Sequence, residues 1–229
     1  MTDQPSRAVQ DYLKAIHRLG GVDARVSPAD LAARLEVRPA SVTGMLKRLA
    51  EAGWIDYEPR DGARLTHAGV AQARRVIRRH RLVELFLTRV LGLDWSEVDV
   101  EAEALEHAIS PRLEQALARY LGEPLEDPHG HPIPTPEGDI AARDLRPLHT
   151  FQPGQRVLIR EVQDDSPERL RRWQDLGLVP GTAITLLRHQ ELDGIFEIAV
   201  GDRVLSLGVE GLTGLLGEPL ESGATPENG

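Results

Sequence analysis

Two segments of the chain carry metal-ligand residue types at one-turn spacing. His80 and Glu84 lie four positions apart, and Glu103, Glu106 and His107 are spaced by three and four. Residues three and four apart on an α-helix share a face. Each group therefore aims its imidazole and carboxylates to one side if its segment is helical. Asp11 adds a carboxylate from a third helical pattern. Packing three such helices closes a coordination sphere of carboxylate oxygen and imidazole nitrogen. The chain has no cysteine, so sulfur is absent, and the donor mixture suits Mn²⁺ or Fe²⁺ better than Cu⁺ or a thiolate zinc site. Affinity order alone favours Cu²⁺ and Zn²⁺, which leaves selectivity to geometry and metal availability. The same residues also read as something plainer. Acidic side chains at helical spacing are usually a solvated face, and His80 follows Arg78-Arg79 in what could be a basic stripe. Spacing leaves both readings open.

Composition removes several alternatives. Without cysteine there is no disulfide scaffold and no thiol catalysis. No run approaches 18 apolar residues, and the start MTDQPSRAVQDYL has no apolar signal segment, so a cytoplasmic protein with no membrane contact is expected. No nucleophile–base pair or phosphate-cradling glycine loop occurs. A ferritin-like dinuclear enzyme needs Glu-x-x-His on two helices, whereas the carboxylate–histidine triplet occurs here once. The net charge of −9 is unevenly spread. Residues 1–75 carry 12 Lys/Arg against 9 Asp/Glu, and the remainder 15 against 27. A mildly basic head on an acidic body suits a protein that touches phosphate with one end.

The elements that must position these groups follow from periodicity and punctuation. Val9, Tyr12, Leu13, Ile16 and Leu19 recur at helical spacing over 7–19, and Gly20-Gly21 ends that helix. Ser27-Pro28 is an N-cap followed by proline at the first helical position, opening a helix to about Leu35. Pro39 opens a third, to about Ala52, with Val42, Met45, Leu46 and Leu49 inward. Residues 54–57 and 63–66 read as two strands around an Arg60-Asp61-Gly62 turn. A long helix spans about 70–91, and two more cover roughly 97–108 and 110–121. Residues 122–138 are proline-rich and read as an extended connector, with the two histidines of PHGHP as connector residues; 139–149 have no clear pattern. From Phe151, RVLIREV, AITLLRH, IFEIAV and RVLSLG form a small β-barrel of about five strands, interrupted by the helix SPERLRRWQDLGL. The tail ESGATPENG reads as disordered.

Three helices followed by a β-hairpin is the order of a winged helix-turn-helix. Its third helix places Arg38, Ser41, Thr43, Lys47 and Arg48 opposite the apolar face. Pro39, Ala40 and Gly44 keep that surface low enough to approach a major groove. Arg60 and Arg64 in the wing would meet flanking phosphates. One such head makes too few contacts for tight specificity, so a homodimer on palindromic double-stranded DNA is expected, joined through the helices over 96–121.

These features together resemble the diphtheria-toxin-repressor family of iron- and manganese-dependent transcriptional regulators, in its long form. The carriers are DYLKAIHRL, LAARLEVRPASVTGMLKRL, the wing, RRHRLVELFL, EAEALEHAIS and PHGHPIP. RLRRWQDLGLVPGT resembles an SH3-like, FeoA-type domain. The resemblance implies a mainly α fold with a small β part, in which 1–75 is a winged helix-turn-helix and 76–149 a metal-binding and dimerisation domain, with its proline-rich linker from about 122. It also implies an SH3-like β-barrel over 150–220, before a tail at 221–229. It implies a non-enzymatic homodimeric repressor of metal-uptake genes, with Asp11, Glu103, Glu106 and His107 as the principal metal site. Iron-type members carry sulfur ligands at the positions of Asp11 and Glu103, so the oxygen donors here shift the expectation to Mn²⁺, with Fe²⁺ second. Two ions per subunit are implied, the second at His80 and Glu84 with Asp99 and with Asp164, Asp165 or Glu168 from the SH3-like domain. Short manganese-type members place a glutamate one turn after the helix-one aspartate; here that position is Lys14. The expected switch is repulsion among Asp11, Glu103 and Glu106, which leaves the first helix loose until a cation neutralises them. The competing readings are a metal-independent winged-helix regulator sensing a small molecule and a dinuclear metalloenzyme.

Overall fold

The computed structural model describes residues 5–164 and 166–220; Asp165 and the 221–229 tail lie outside the described residues. The chain divides into two compact units, each assembled from separate stretches. The first holds residues up to His80, with Glu103–Ala116 and Ile133–Ile140; the second holds Arg81–Ala102, Leu117–Pro132 and the chain from Ala141.

The first unit opens with α1 (Arg7–Arg18), α2 (Pro28–Arg34) and α3 (Pro39–Glu51). Ser27 caps α2 by accepting the Asp30 N–H at 3.1 Å, and Pro28 and Pro39 each occupy a first-turn position where no N–H is needed. Leu13 and Ile16 of α1, Leu31 of α2 and Val42, Leu46 and Leu49 of α3 are fully buried together. The helical period that buries this stripe of α1 leaves Asp11 and Lys14 on a neighbouring side of the helix. Strands β1 (Ile55–Glu58) and β2 (Gly62–Leu65) pair antiparallel as the wing, and Val26 bridges Ala63 from the other side. Gly62, at φ 105°, is obligatory there: a Cβ would stand 2.4 Å from the Val26 carbonyl oxygen.

The long helix α4 (His67–Arg89) begins three residues earlier than the sequence suggests. Thr66 explains this: its hydroxyl accepts the Gly69 N–H at 3.2 Å and donates to the Gly53 carbonyl at 2.7 Å, capping the helix and tying it to the wing base. Helix α5 is shorter than expected. It spans Val98–Leu105, so Glu106 and His107 lie in the turn after it. Helix α6 spans Pro111–Tyr120.

The second unit carries a six-stranded antiparallel sheet. In chain order its strands are β3 (Arg146–Pro147), β4 (Arg156–Val162), β5 (Ala183–Gln190), β6 (Ile195–Val200), β7 (Arg203–Gly208) and β8 (Leu215–Pro219), and across the sheet the order is β3-β8-β4-β5-β6-β7. The four strand patterns legible in the sequence are β4 to β7. The sheet gains β8, whose five residues LLGEP are too few to show a period, and the two-residue β3. Helix α7 (Pro167–Leu176) ends on Gly177 in the left-handed conformation and buries Leu170 and Trp173 against Ile159, Leu186 and Ile198. The Trp173 indole N–H is satisfied by the Gly211 carbonyl at 2.8 Å. Among the described residues no helix is long and apolar enough to cross a membrane.

Candidate functional site

In the first unit, α1 and the end of α5 bring four ligand-type side chains together. Asp11, Glu103, Glu106 and His107 each offer one ligand atom, and the four atoms lie within 4.8 Å of one another. Asp11 Oδ1 stands 2.8 Å from His107 Nε2, and Glu106 Oε1 stands 3.4 Å from the same nitrogen.

The tautomer of His107 follows from its other side. Gln10, itself buried, donates its amide to the Pro5 carbonyl at 2.6 Å, which turns Oε1 toward His107 Nδ1 at 3.1 Å. An amide oxygen only accepts, so Nδ1 carries the hydrogen and Nε2 presents its lone pair to the cluster. Asp11 Oδ1, Glu106 Oε1 and His107 Nε2 are consequently three acceptors facing one another, all buried and without a hydrogen-bond partner. Orphaned acceptors in contact are costly unless a cation lies among them. The donor set fits a divalent ion of the Mn²⁺ or Fe²⁺ type. Burial raises the Asp11 carboxyl above the usual carboxylate range; His107 and Arg7 pull the other way and Glu103 and Glu106 add to the rise. Sequence reasoning missed Gln10, whose only signal is its position beside Asp11.

The other Glu106 oxygen belongs to a second arrangement. Lys14, with 3% exposure, places Nζ 2.6 Å from Glu106 Oε2, 2.5 Å from Glu103 Oε2 and 3.0 Å from His80 Nδ1. His80 Nδ1 is also 2.6 Å from Glu106 Oε2, and His80 Nε2 lies 3.2 Å from Arg18 Nη2. Arginine only donates, so Nε2 accepts and Nδ1–H is given to Glu106. Burial acts to raise the Glu106 carboxyl and is outweighed by the His80 hydrogen bond and the Lys14 charge, so its pKa falls below the usual value. This corrects the expected switch. Glu103 and Glu106 do not simply repel α1, because Lys14 of α1 already ties it to both.

A second cluster lies in the second unit, where the sequence suggests only a connector. Asp127, His129 and His131 also present ligand atoms within 4.8 Å of one another. The DPHGH segment is a closed turn: Asp127 Oδ1 accepts the backbone N–H groups of His129 and His131 at 2.8 and 2.9 Å, and Glu126 bridges Pro132. Gly130 is required at φ 85°, since a Cβ would stand 1.9 Å from the Arg160 carbonyl oxygen. His129 Nε2 lies 2.9 Å from the Trp95 carbonyl and must donate to it, which leaves the Nδ1 lone pair facing Glu84 Oε1 at 3.6 Å. Asp127 Oδ2 lies 3.1 Å from His131 Nδ1 and 3.4 Å from Arg81 Nε. Burial would raise the Asp127 carboxyl; His131 first, then Arg81 and His129, hold it well below the usual range. Local turn chemistry hid this cluster, because proline and glycine at these positions also describe a plain linker.

The remaining expected ligands are Asp99, Asp164 and Glu168. Asp99 lies half-buried on α5 in the second unit. Asp164 is committed locally, accepting the Ser166 N–H at 2.7 Å and pairing with Arg169 at 3.0 Å. Glu168 is exposed on the first turn of α7. Glu161, which sequence reasoning passed over, brings Oε1 to 3.9 Å from His131 Nε2.

The expected DNA-contacting residues of the head all lie at the surface. Arg38, Pro39, Ala40, Ser41, Thr43, Gly44, Lys47 and Arg48 are all exposed, as are Arg60 and Arg64 in the wing. Arg25 holds the wing in shape, pairing with Asp56 at 2.6 Å, Glu58 at 2.9 Å and Asp61 at 2.9 Å and donating to the carbonyls of Asp56 and Gly62.

Comparison with known proteins meets these observations at each part of the chain. Residues 6–63 match the family described as iron dependent repressor, N-terminal DNA binding domain; 66–135 match iron dependent repressor, metal binding and dimerisation domain; and 146–210 match the FeoA domain. The iron-dependent repressor IdeR of Mycobacterium leprae is 32% identical over 188 residues, covering 76% of this chain and 81% of that protein. The diphtheria toxin repressor of Corynebacterium glutamicum is 29% identical over 190 residues, covering 78% and 83%. A solved manganese-dependent transcriptional repressor in complex with manganese superposes with a TM-score of 0.85 at 32% identity, over 93% of this chain and all of that one. With a winged DNA-binding head, a metal-type centre and a FeoA-type sheet in one chain, this protein belongs to the iron-dependent repressor family, the metal-dependent transcriptional repressors that include IdeR and the diphtheria toxin repressor, and not to a family of enzymes.

Proposed function

We propose that this chain is a Mn²⁺-responsive repressor, with Fe²⁺ as the second-ranked ion, that binds a palindromic operator as a homodimer and controls metal-uptake genes in the cytoplasm. In this reading residues 1–75 read DNA, 76–149 bind metal and dimerise, and 150–220 form the SH3-like domain. One observation carries it: three orphaned acceptors from α1 and the end of α5 converge on one point. The all-oxygen and imidazole donor set favours Mn²⁺, in keeping with the manganese-dependent repressor of similar fold. Exposed Leu113 and Tyr120 of α6 supply apolar area for a second copy.

A bound divalent ion supplies the positive charge that the three facing acceptors lack. Asp11 ties that charge to α1, whose buried stripe shares one core with the recognition helix α3. Gln10 keeps the His107 lone pair turned inward. Lys14 holds the other Glu106 oxygen, so the carboxylate presents Oε1 to the site. The side chains thereby bias the placement of the DNA-reading face, and a ligand shifts that equilibrium only by its differential affinity for the two placements. The second ion of the subunit is assigned to Glu84, Asp127, His129 and His131.

The test is retention of genomic DNA fragments by metal-free protein with and without Mn²⁺, compared with the His107→Ala chain. Mn²⁺-dependent retention of a few palindromic promoters, lost in the variant, is the expected result. Retention that ignores both chelator and His107→Ala overturns the metal switch.

A further inference from the structure

We propose that Lys14 is a built-in monovalent cation that fills a second cation position beside the Asp11–His107 centre and so limits that centre to one divalent ion. The inference rests on the proposed metal centre and concerns how many ions that centre takes.

The ammonium pairs with two carboxylate oxygens, the donors a cation at this point would use. Nζ lies 2.5 Å from Glu103 Oε2, 2.6 Å from Glu106 Oε2 and 3.0 Å from His80 Nδ1. Lys14 and Glu106 are 3% and 0% exposed at their side chains, so water screens this pair little, while Glu103 is 38% exposed. Two carboxylate oxygens face the ammonium directly, oxygen donors of the same kind as those of the neighbouring centre, and the His80 ring stands beside them with its Nδ1–H given to Glu106. Glu106 is shared between the two positions, Oε2 to Lys14 and Oε1 to the orphaned cluster.

Charge balance points the same way. Asp11, Glu103 and Glu106 carry three negative charges when ionised. One ammonium and one divalent ion carry three positive charges, which match these three carboxylates one for one. A second divalent ion would stand against the ammonium for the same two carboxylates, and like charges at that separation repel. Lys14 is thus a positioning residue. It holds Glu103 and Glu106 for the ion without touching it, and it excludes a second one.

The experiment counts Mn²⁺ bound per chain by equilibrium dialysis for the wild-type and Lys14→Gln proteins, and records the Mn²⁺ electron paramagnetic resonance spectrum of each. The Lys14→Gln chain is expected to bind one more ion per chain than wild type, and its spectrum to show two magnetically coupled ions where wild type shows none. Asp11→Ala serves as the separate check on the centre itself: it removes one ion from wild type whether or not Lys14 acts as proposed. A folded Lys14→Gln chain with the wild-type ion count overturns the proposal, as does a coupled pair in the wild type. If the variant unfolds without metal, Mn²⁺ should restore its circular dichroism; failure to restore it also overturns the proposal.

Discussion

His107 turns the lone pair of Nε2 toward Asp11 Oδ1 at 2.8 Å, because its N–H is taken by Gln10 on the far side of the ring. Gln10 and Asp11 are adjacent in α1, so one turn of backbone both fixes the imidazole and faces it with a carboxylate. The pairing makes the metal-free centre a strained arrangement of acceptors and ties metal affinity to a residue that never contacts the ion.

Gln10→Ala is therefore expected to weaken Mn²⁺ binding by about 10–100-fold, the usual cost of removing the outer partner of a ligating histidine. Titration calorimetry of the variant checks this. A Kd unchanged from wild type shows that His107 keeps its orientation without Gln10.

Asp11→Asn separates stability from metal response. The folded state raises the Asp11 carboxyl, so ionising it costs the metal-free fold stability as pH climbs through that raised pKa. The asparagine variant should melt about 1–4 °C higher than wild type at neutral pH without metal, and it should lose the further rise that Mn²⁺ gives wild type. For the same reason Mn²⁺ affinity of the wild type should fall on acidification at a pH above the ordinary aspartate range. Scanning calorimetry across pH with and without Mn²⁺ reads both effects.

Asp127 shifts in the opposite direction. Its folded pKa is depressed, so its contribution is present above the unfolded pKa near 3.8 and is lost as pH falls through the folded value. Asp127→Ala leaves the His129 and His131 N–H groups without their acceptor. It should destabilise the second unit by about 1–3 kcal/mol near neutral pH, with the gap from wild type closing in strong acid. Denaturant titration at two pH values measures it, and a constant gap would show that Asp127 acts through packing alone.

Lys47→Ala probes the DNA face. Removing one phosphate contact should reduce the slope of log K against log salt by about 0.9 and leave Mn²⁺ binding unchanged. An unchanged slope places Lys47 away from phosphate.

Arg25→Ala addresses the wing. Its half-exposed carboxylate partners contribute little each, but the guanidinium also satisfies two wing carbonyls. The variant should weaken operator affinity through a loosened wing while the Mn²⁺ Kd stays within error of wild type.

The sequence alone determined the order of elements and the polar face of the head. Burial at helical spacing of Val42, Met45, Leu46 and Leu49, proline at first helical turns, and the turn at Arg60–Gly62 are local effects, written in neighbouring residues. The same holds for β6 and the start of β4, whose buried residues alternate. The candidate ligands were legible as residue types, and the resemblance proposed how Asp11 would join Glu103, Glu106 and His107. What packing decided lies between residues far apart in the chain. Lys14 reaches across 89 and 92 positions to Glu103 and Glu106, and Gln10 across 97 to His107. The buried turn at Asp127–His131 was hidden because its proline and glycine also fit a solvated linker. Spacing reports which face a side chain occupies; only the folded core decides what that face meets, because desolvated charges must find partners wherever the packing brings them.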